Sequence, residues 1–212
     1  MNDIKKKRYD ILGPKVAEAL EARGFEAYYF ETAAQAREKA LEMITPDASV
    51  GYGGSVTINA LGLKETLRQR GNTMFDRDLA ANPAEKKAIE HASFNADWFL
   101  MGSNAISEDG QLINIDGIGN RVASLIFGPA NVIIIAGMNK VVDNVDAAID
   151  RARNTAAPIN TIRLNRKTPC TQTGRCMDCM SPECICSQFV VTRRSMPAGR
   201  IKIILVGEEL GY

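Results

Sequence analysis

The chain has 212 residues, 45% of them hydrophobic and 24% charged, which is long enough for a buried core and excludes a disordered or fibrous protein. Lys and Arg number 26 against 25 Asp and Glu, and the resulting net charge of +1 excludes a chain-wide basic field for nucleic acid. The single histidine, His91, excludes a His-based catalytic pair or a His-rich metal site built from this chain alone.

Ile4, Ile11, Leu12, Val16, Ala19 and Leu20 recur at helical spacing, and Gly24 follows as a C-cap. A strand is predicted over 25–30 and a helix over 33–44, stopped before Pro46. The pattern then gives a strand at 49–53, a helix at 57–70, a brief strand at 72–75 and a helix at 83–93 with Pro83 in its first turn. Strands follow at 98–101 and 111–115, with a turn at Asp109-Gly110 between them. A short helix at 122–127, a buried strand at 132–136, a long helix at 142–155 and strands at 159–164 and 201–206 complete the alternation. Such alternation predicts an α/β fold, a mainly parallel sheet flanked by helices, within one domain spanning 1–212. An irregular segment at 166–199 interrupts it before the last strand; it holds all five cysteines and few large apolar residues.

The charged start of the chain lacks the apolar stretch of a secretory signal, and the apolar runs at 132–138 and 203–206 fall far short of the ~20 residues that span a bilayer. A cytoplasmic protein with no membrane or nucleic-acid partner is expected. In that compartment clustered cysteines point to metal or redox chemistry more than to structural disulfides.

Three strand-to-helix turns carry the candidate site. The first runs from Ser49 to Thr57: Gly53 and Gly54, which follow Gly51 of the strand, let backbone approach a ligand, and Ser55 and Thr57 bring hydroxyls to a helix start. A plain turn with Ser55 as N-cap is the alternative. The second, Asn114 to Arg121, puts Asp116 at a strand end between backbone freed by Gly117 and Gly119, with Asn120 beside them. Arg121 falls in a first helical turn, where the dipole disfavours a cation, so it either binds something or forms an ion pair. The third follows the most apolar strand, where Gly137 precedes the polar tip Asn139 and Lys140; a solvated turn is its alternative. If the three strands are parallel, their tips share the sheet edge at which open α/β folds bind ligands.

In this order, Tyr52-Gly-Gly-Ser-Val-Thr57 with Gly62-Leu63, Asp116-Gly-Ile-Gly-Asn-Arg-Val122, Phe127-Gly-Pro129 and Gly137-Met-Asn-Lys140 resemble the LUD domain family, named for lactate-utilisation proteins and including lactate-utilisation protein C. The resemblance spans about residues 1–165. Thr168-Pro-Cys170, Gly174-Arg-Cys-Met-Asp-Cys179 and Ile185-Cys186 resemble a cysteine-tailed subgroup formerly labelled a domain of unknown function. The family resemblance implies a fold shared with ribose-5-phosphate isomerase, glucosamine-6-phosphate deaminase and CoA transferases, in which a glycine-rich turn often holds phosphate. It further implies a role in oxidation of lactate or a related 2-hydroxy acid beside iron–sulfur oxidoreductase subunits. Relatives of this fold often associate, so a homo-oligomer is among the expected states.

The cysteine spacing is C-x5-C-x2-C-x4-C-x-C. Four thiolates would suit zinc or an Fe–S cluster. The subgroup resemblance favours Cys170, Cys176, Cys179 and Cys186 as the metal set and leaves Cys184 spare. The spacing matches neither bacterial ferredoxins nor zinc ribbons, so a redox-active loop and inert thiols stay open beside metal binding. From Arg163 to Lys202 there are eight basic and two acidic residues, a net +6 that leaves −5 for the rest of the chain. Either an anion- or partner-binding face or a solvated loop accounts for that charge.

Two functional readings follow besides a non-catalytic metal- or redox-sensing docking protein. One is an accessory or catalytic subunit in 2-hydroxy-acid oxidation with a small-anion or phosphate pocket at the strand ends. The other is a stand-alone isomerase- or CoA-transferase-like enzyme, with Asp116 as general base and Lys140 or Arg121 stabilising an enolate or phosphate.

Overall fold

The apolar runs at 132–136 and 201–206 become inner strands buried on both faces in the computed structural model, which describes residues 2–212. Ten strands form among those residues: β1 (Glu26–Phe30), β2 (Ser49–Tyr52), β3 (Thr73–Phe75), β4 (Trp98–Met101), β5 (Ala105–Ser107), β6 (Leu112–Asp116), β7 (Asn131–Gly137), β8 (Val141–Val142), β9 (Gln188–Thr192) and β10 (Ile201–Val206). Six of them make a wholly parallel sheet in the order β1-β10-β7-β4-β2-β3. Residues alternate between its faces. Val132, Ile134, Ile203 and Leu205 pack with Val16 and Leu20 of the Asp3–Glu21 helix, whereas Ile133, Ile135, Ile204 and Val206 pack with Ala36, Ala40, Ile58 and Leu67 on the other side. Helices on both faces are what a parallel sheet requires, because its crossovers lie there.

The remaining four strands form a second sheet, β8-β5-β6-β9, in which β6 runs antiparallel to both neighbours. This corrects the expectation that the strand before Asp116 belongs to the parallel sheet. Three strands of the second sheet carry little sequence signal. β5 and β8 have three and two residues, and β9 (Gln188–Thr192) lies within the supposedly irregular cysteine segment, held by its register with β6.

Helix bounds depart from the pattern in three places. Gly62, at φ 64°, splits the expected 57–70 helix into Val56–Ala60 and Leu63–Gln69. The expected 142–155 helix starts at Val145 and, after Arg151, widens into a π-helix over Ala152–Ala156. The strand expected at 159–164 is instead the helix Ala157–Arg163, which continues from the π-helix; Pro158, which has no N–H to donate, stands just after that widened turn. Its apolar Ile159 and Ile162, three residues apart, are exposed at 39% and 55% and lie on an outer helical face. No helix among the described residues is long and apolar enough to cross a membrane.

Candidate functional site

Parallel register brings the ends of β2, β4 and β7 to one edge of the six-stranded sheet, with β4 between the other two. The first and third turns therefore meet as expected. Between them lies Gly102-Ser103-Asn104, the tip of β4, which the sequence pattern did not single out although glycine and polar residues there also follow an apolar strand.

Lys140 lies at the floor of this edge. Only 4% of it is exposed, and its Nζ donates to the Ser103 carbonyl at 3.2 Å and the Thr57 hydroxyl at 3.5 Å. Neither acceptor carries a charge. Burial pushes its pKa down to about 7, helped by the positive charges of Arg151 and Arg121. A buried amine drawn toward neutrality is suited to acid–base or nucleophilic work near neutral pH.

The turn above it is narrow. A Cβ on Gly53 would stand 2.8 Å from Phe99 and 2.9 Å from Arg121, and one on Gly54 would stand 2.9 Å from Arg77. Ser55 caps the following short helix through Ile58 N–H at 3.3 Å and lies 3.0 Å from where a Gly102 Cβ would be. Both readings of Ser55 thus hold geometrically, as cap and as site wall. Gly51 lies lower in β2, where a Cβ would strike Ser93 and Phe99, so its smallness serves packing.

Although β6 lies in the second sheet, its turn still reaches the site through one side chain. Arg121 donates to the Gly102 carbonyl at 3.1 Å, to Asn114 Oδ1 at 2.7 Å, to Asn104 Oδ1 at 2.9 Å and to the Ile115 carbonyl at 2.7 Å. The unfavourable position in the helix is explained: the guanidinium turns away from the helix axis and ties the two sheets together. Asp116 lies 3.7 Å from it and accepts from Gly117 N–H at 3.0 Å and Val122 N–H at 3.1 Å. Both carboxylate oxygens thus serve the start of the Asn120–Phe127 helix. Gly119 takes φ 84° as N-cap, Gly117 packs near Ile185, and Asn120 donates to Glu90 at 3.2 Å, so these three shape the turn without facing Lys140.

A short strap from the C-terminal segment crosses the same edge. Asn139 accepts from Leu210 N–H at 3.0 Å and donates to the Gly211 carbonyl at 3.3 Å, and Thr57 donates to the Leu210 carbonyl at 3.4 Å. Gly137 lies so close beneath that a Cβ would come within 2.4 Å of Asn139 Oδ1 and 2.5 Å of the Glu208 carbonyl. Gly211, at φ 60°, brings its backbone near the amine; a Cβ there would be 3.4 Å from Lys140 Nζ.

The cysteines are placed apart from this edge. Cys170 is buried with its sulfur 3.2 Å from the Thr161 hydroxyl and 3.1 Å from that of Thr168. Cys176 Sγ is bound by Asp178 N–H at 3.4 Å and Arg153 at 3.6 Å, so this loop docks on the π-helix. There, an open groove of about 450 Å³ is lined by Asp146, Asp150, Arg153, Asn154, Cys176 and Asp178, among others. Cys186 packs beside the apolar cluster under the second sheet, and burial pushes its thiol up to about 12. Hydrogen bonds from Ser181 draw the Cys179 thiol down, and Cys184 adds to this. The spare residue Cys184 thus sits at Cys179, and its sulfur also accepts from Cys186 N–H at 3.4 Å. Among the described residues no three His, Cys, Asp or Glu side chains are placed to hold a metal ion. Cys184, Cys176 and Cys170 all act electrostatically on the Cys186 thiol, so the thiols are neighbours. Two of the segment's eight basic residues are committed to the fold: Arg200 donates to the Leu125, Ser124 and Pro129 carbonyls, and Lys202 to Asn131 and the Gly199 carbonyl.

A family model described as the LUD domain matches residues 13–206. The crystal structure of a DUF162 family protein from Deinococcus radiodurans superposes with a TM-score of 0.54 at 14% identity, covering 93% of this chain and 97% of that one, a likeness of fold. Ribose 5-phosphate isomerase A from Methanocaldococcus jannaschii matches with a TM-score of 0.36 at 16% identity, over 53% of this chain and 55% of that one. No curated protein matches the chain.

Proposed function

Since the chain belongs to the LUD domain family, whose model matches residues 13–206, we propose that it binds a small anionic substrate, carboxylate- or phosphate-bearing, at the joined tips of β2, β4 and β7. On this reading it serves as an accessory or catalytic subunit in oxidation of lactate or a related 2-hydroxy acid, beside iron–sulfur partners. The observation that carries the proposal is Lys140: a buried amine that meets a carbonyl and a hydroxyl and takes no carboxylate. Leaving a buried cation uncompensated is costly, so an anion arriving at this edge gains what the fold withholds. Arg151 adds a second positive charge, anchored by the Asn139 carbonyl at 3.1 Å and the Asn104 carbonyl at 2.6 Å.

The same geometry favours Lys140 over Asp116 as the reacting group, because both oxygens of Asp116 already hold backbone N–H groups. Thermal-shift titrations with lactate, pyruvate, phosphate and ribose 5-phosphate, against chloride at equal ionic strength, test the pocket. At least one anion is expected to raise the melting temperature of the wild type and to lose that effect in Lys140→Met and Gly53→Ala. Equal shifts in all three proteins would remove the strand-tip site, and unimpaired growth on lactate after deletion would remove the metabolic role.

A further inference from the structure

We propose that Lys140 is a nucleophile that forms an iminium with the keto group of a small 2-oxo acid. This rests on the strand-tip reading above and deepens it by naming the substrate class.

Three observations lead there. First, Nζ makes contacts that a neutral amine satisfies as well as a charged one, since both acceptors are uncharged oxygens. In a site evolved only to hold an ammonium group, a carboxylate would be the economical partner. Its pKa of about 7 agrees with this, leaving the lone pair available on about half the molecules near neutrality. Second, the lining is glycine where the amine needs room. A Cβ on Gly102 would lie 3.8 Å from Nζ and one on Gly211 3.4 Å, so backbone alone flanks the nitrogen on those sides. Third, the cover over the amine is a short segment without helix or strand, held at this edge by the side chains of Asn139 and Thr57. Its displacement opens the amine without disturbing the sheet.

The neighbouring charges select the acid. Arg151 and Arg121 both act on the amine electrostatically and disfavour a second cation there. They attract a carboxylate, which in a 2-oxo acid is bonded directly to the carbonyl carbon. Simple aldehydes and ketones lack that anchor.

In the reaction the Nζ lone pair forms a bond to C2, and the carbonyl π pair moves to oxygen, which takes up a proton. Nitrogen then loses a proton, the C2 hydroxyl is protonated and leaves as water, and the nitrogen lone pair closes the C=N bond. One neutral amine, one keto-acid anion and one proton give one iminium and one water, with no oxidant or reductant. The Thr57 hydroxyl, 3.5 Å from Nζ, is placed to relay the proton.

Sodium cyanoborohydride tests the proposal, because hydride delivery to an iminium locks it as a secondary amine. Wild-type protein incubated with pyruvate and the reductant is expected to gain about 72 Da once, with the label on the Lys140 peptide. Lactate with the same reductant should give no label, and Lys140→Arg should lose it. If that variant does not fold, peptide mapping of the wild type alone decides. Label spread over surface lysines, or absent, overturns the proposal. Pyruvate-induced thermal stabilisation without trapping would overturn the iminium and leave the anion site standing. Neither stabilisation nor trapping would remove both.

Discussion

Replacing Lys140 by methionine isolates the cost of burying its amine. The substitution keeps the length and apolar stem of the side chain and removes the titrating group. The ordinary lysine value is 10.5 and the folded value about 7, so between these pH values the unfolded chain binds the extra proton and the folded one releases it. Stability therefore rises with pH through that window, is fully penalised below it and is unpenalised above it. Near pH 7 the penalty is about 4 kcal/mol, and raising the pH from about 7 to 9 recovers about 2 kcal/mol of it. Loss of the bonds to Ser103 and Thr57 returns about 1–2 kcal/mol of the penalty to the variant. Lys140→Met is thus expected to be the more stable protein at pH 7 by roughly 2 kcal/mol, with the advantage shrinking towards pH 9. Urea unfolding of both proteins across this range reads the difference directly, and other titrating groups cancel in it. A difference that does not change with pH would refute the reasoning, since the amine would then keep its ordinary pKa. A wild type that loses stability relative to the variant only as the pH rises above about 10 would mean that a carboxylate pairs with the amine.

Arg121→Met should cost about 3–5 kcal/mol, because four partly buried oxygens of the 102–104 turn and β6 lose their donor at once; a loss below about 1 kcal/mol in urea unfolding would contradict that tie. Gly137→Ala should detach the 208–212 strap while leaving the sheet, seen as faster amide exchange confined to Leu210 and its neighbours. Exchange that speeds up throughout β7 instead would show that Gly137 serves the strand. Under brief alkylation near pH 7, Cys179 should react first and Cys186 last, as hydrogen bonding draws one thiol down and burial pushes the other up. Protection of all five thiols together with stoichiometric iron or zinc would show that the segment closes around a metal.

Periodicity read the parallel sheet well because its inner strands β7 and β10 are apolar runs and helices with clear start and stop signals separate its strands. Pro46 after the helix expected at 33–44 and Pro83 at the start of the one expected at 83–93 are examples, and both helices are found where expected. The second sheet escaped for a physical reason. β5 and β8 are too short for a pattern, and the polar strand β9 is fixed by pairing with β6 more than by its own composition. A strand defined by its partner leaves little trace in its own residues. The 159–164 segment shows the converse error, since Ile159 and Ile162 stand three residues apart on an exposed face, the spacing of a helix and not of a strand.

The same distinction explains which parts of the site were legible. Glycine at strand ends marked the first and third turns, because close approach of backbone demands it at Gly53 and Gly137. The convergence of those turns followed from parallel pairing. What sequence spacing does not encode is charge balance: Lys140 looks like any βα-turn lysine until the tips of β2 and β4 enclose it without a carboxylate. Asp116 and Arg121 illustrate the reverse. Both looked chemically poised, yet each is consumed by the fold, one at a helix start and the other as the strut between sheets. A residue left electrostatically unsatisfied by a fold that satisfies its neighbours this thoroughly is where the sheet edge has capacity to spare for a ligand. That asymmetry, and not the number of polar groups at the edge, singles out Lys140.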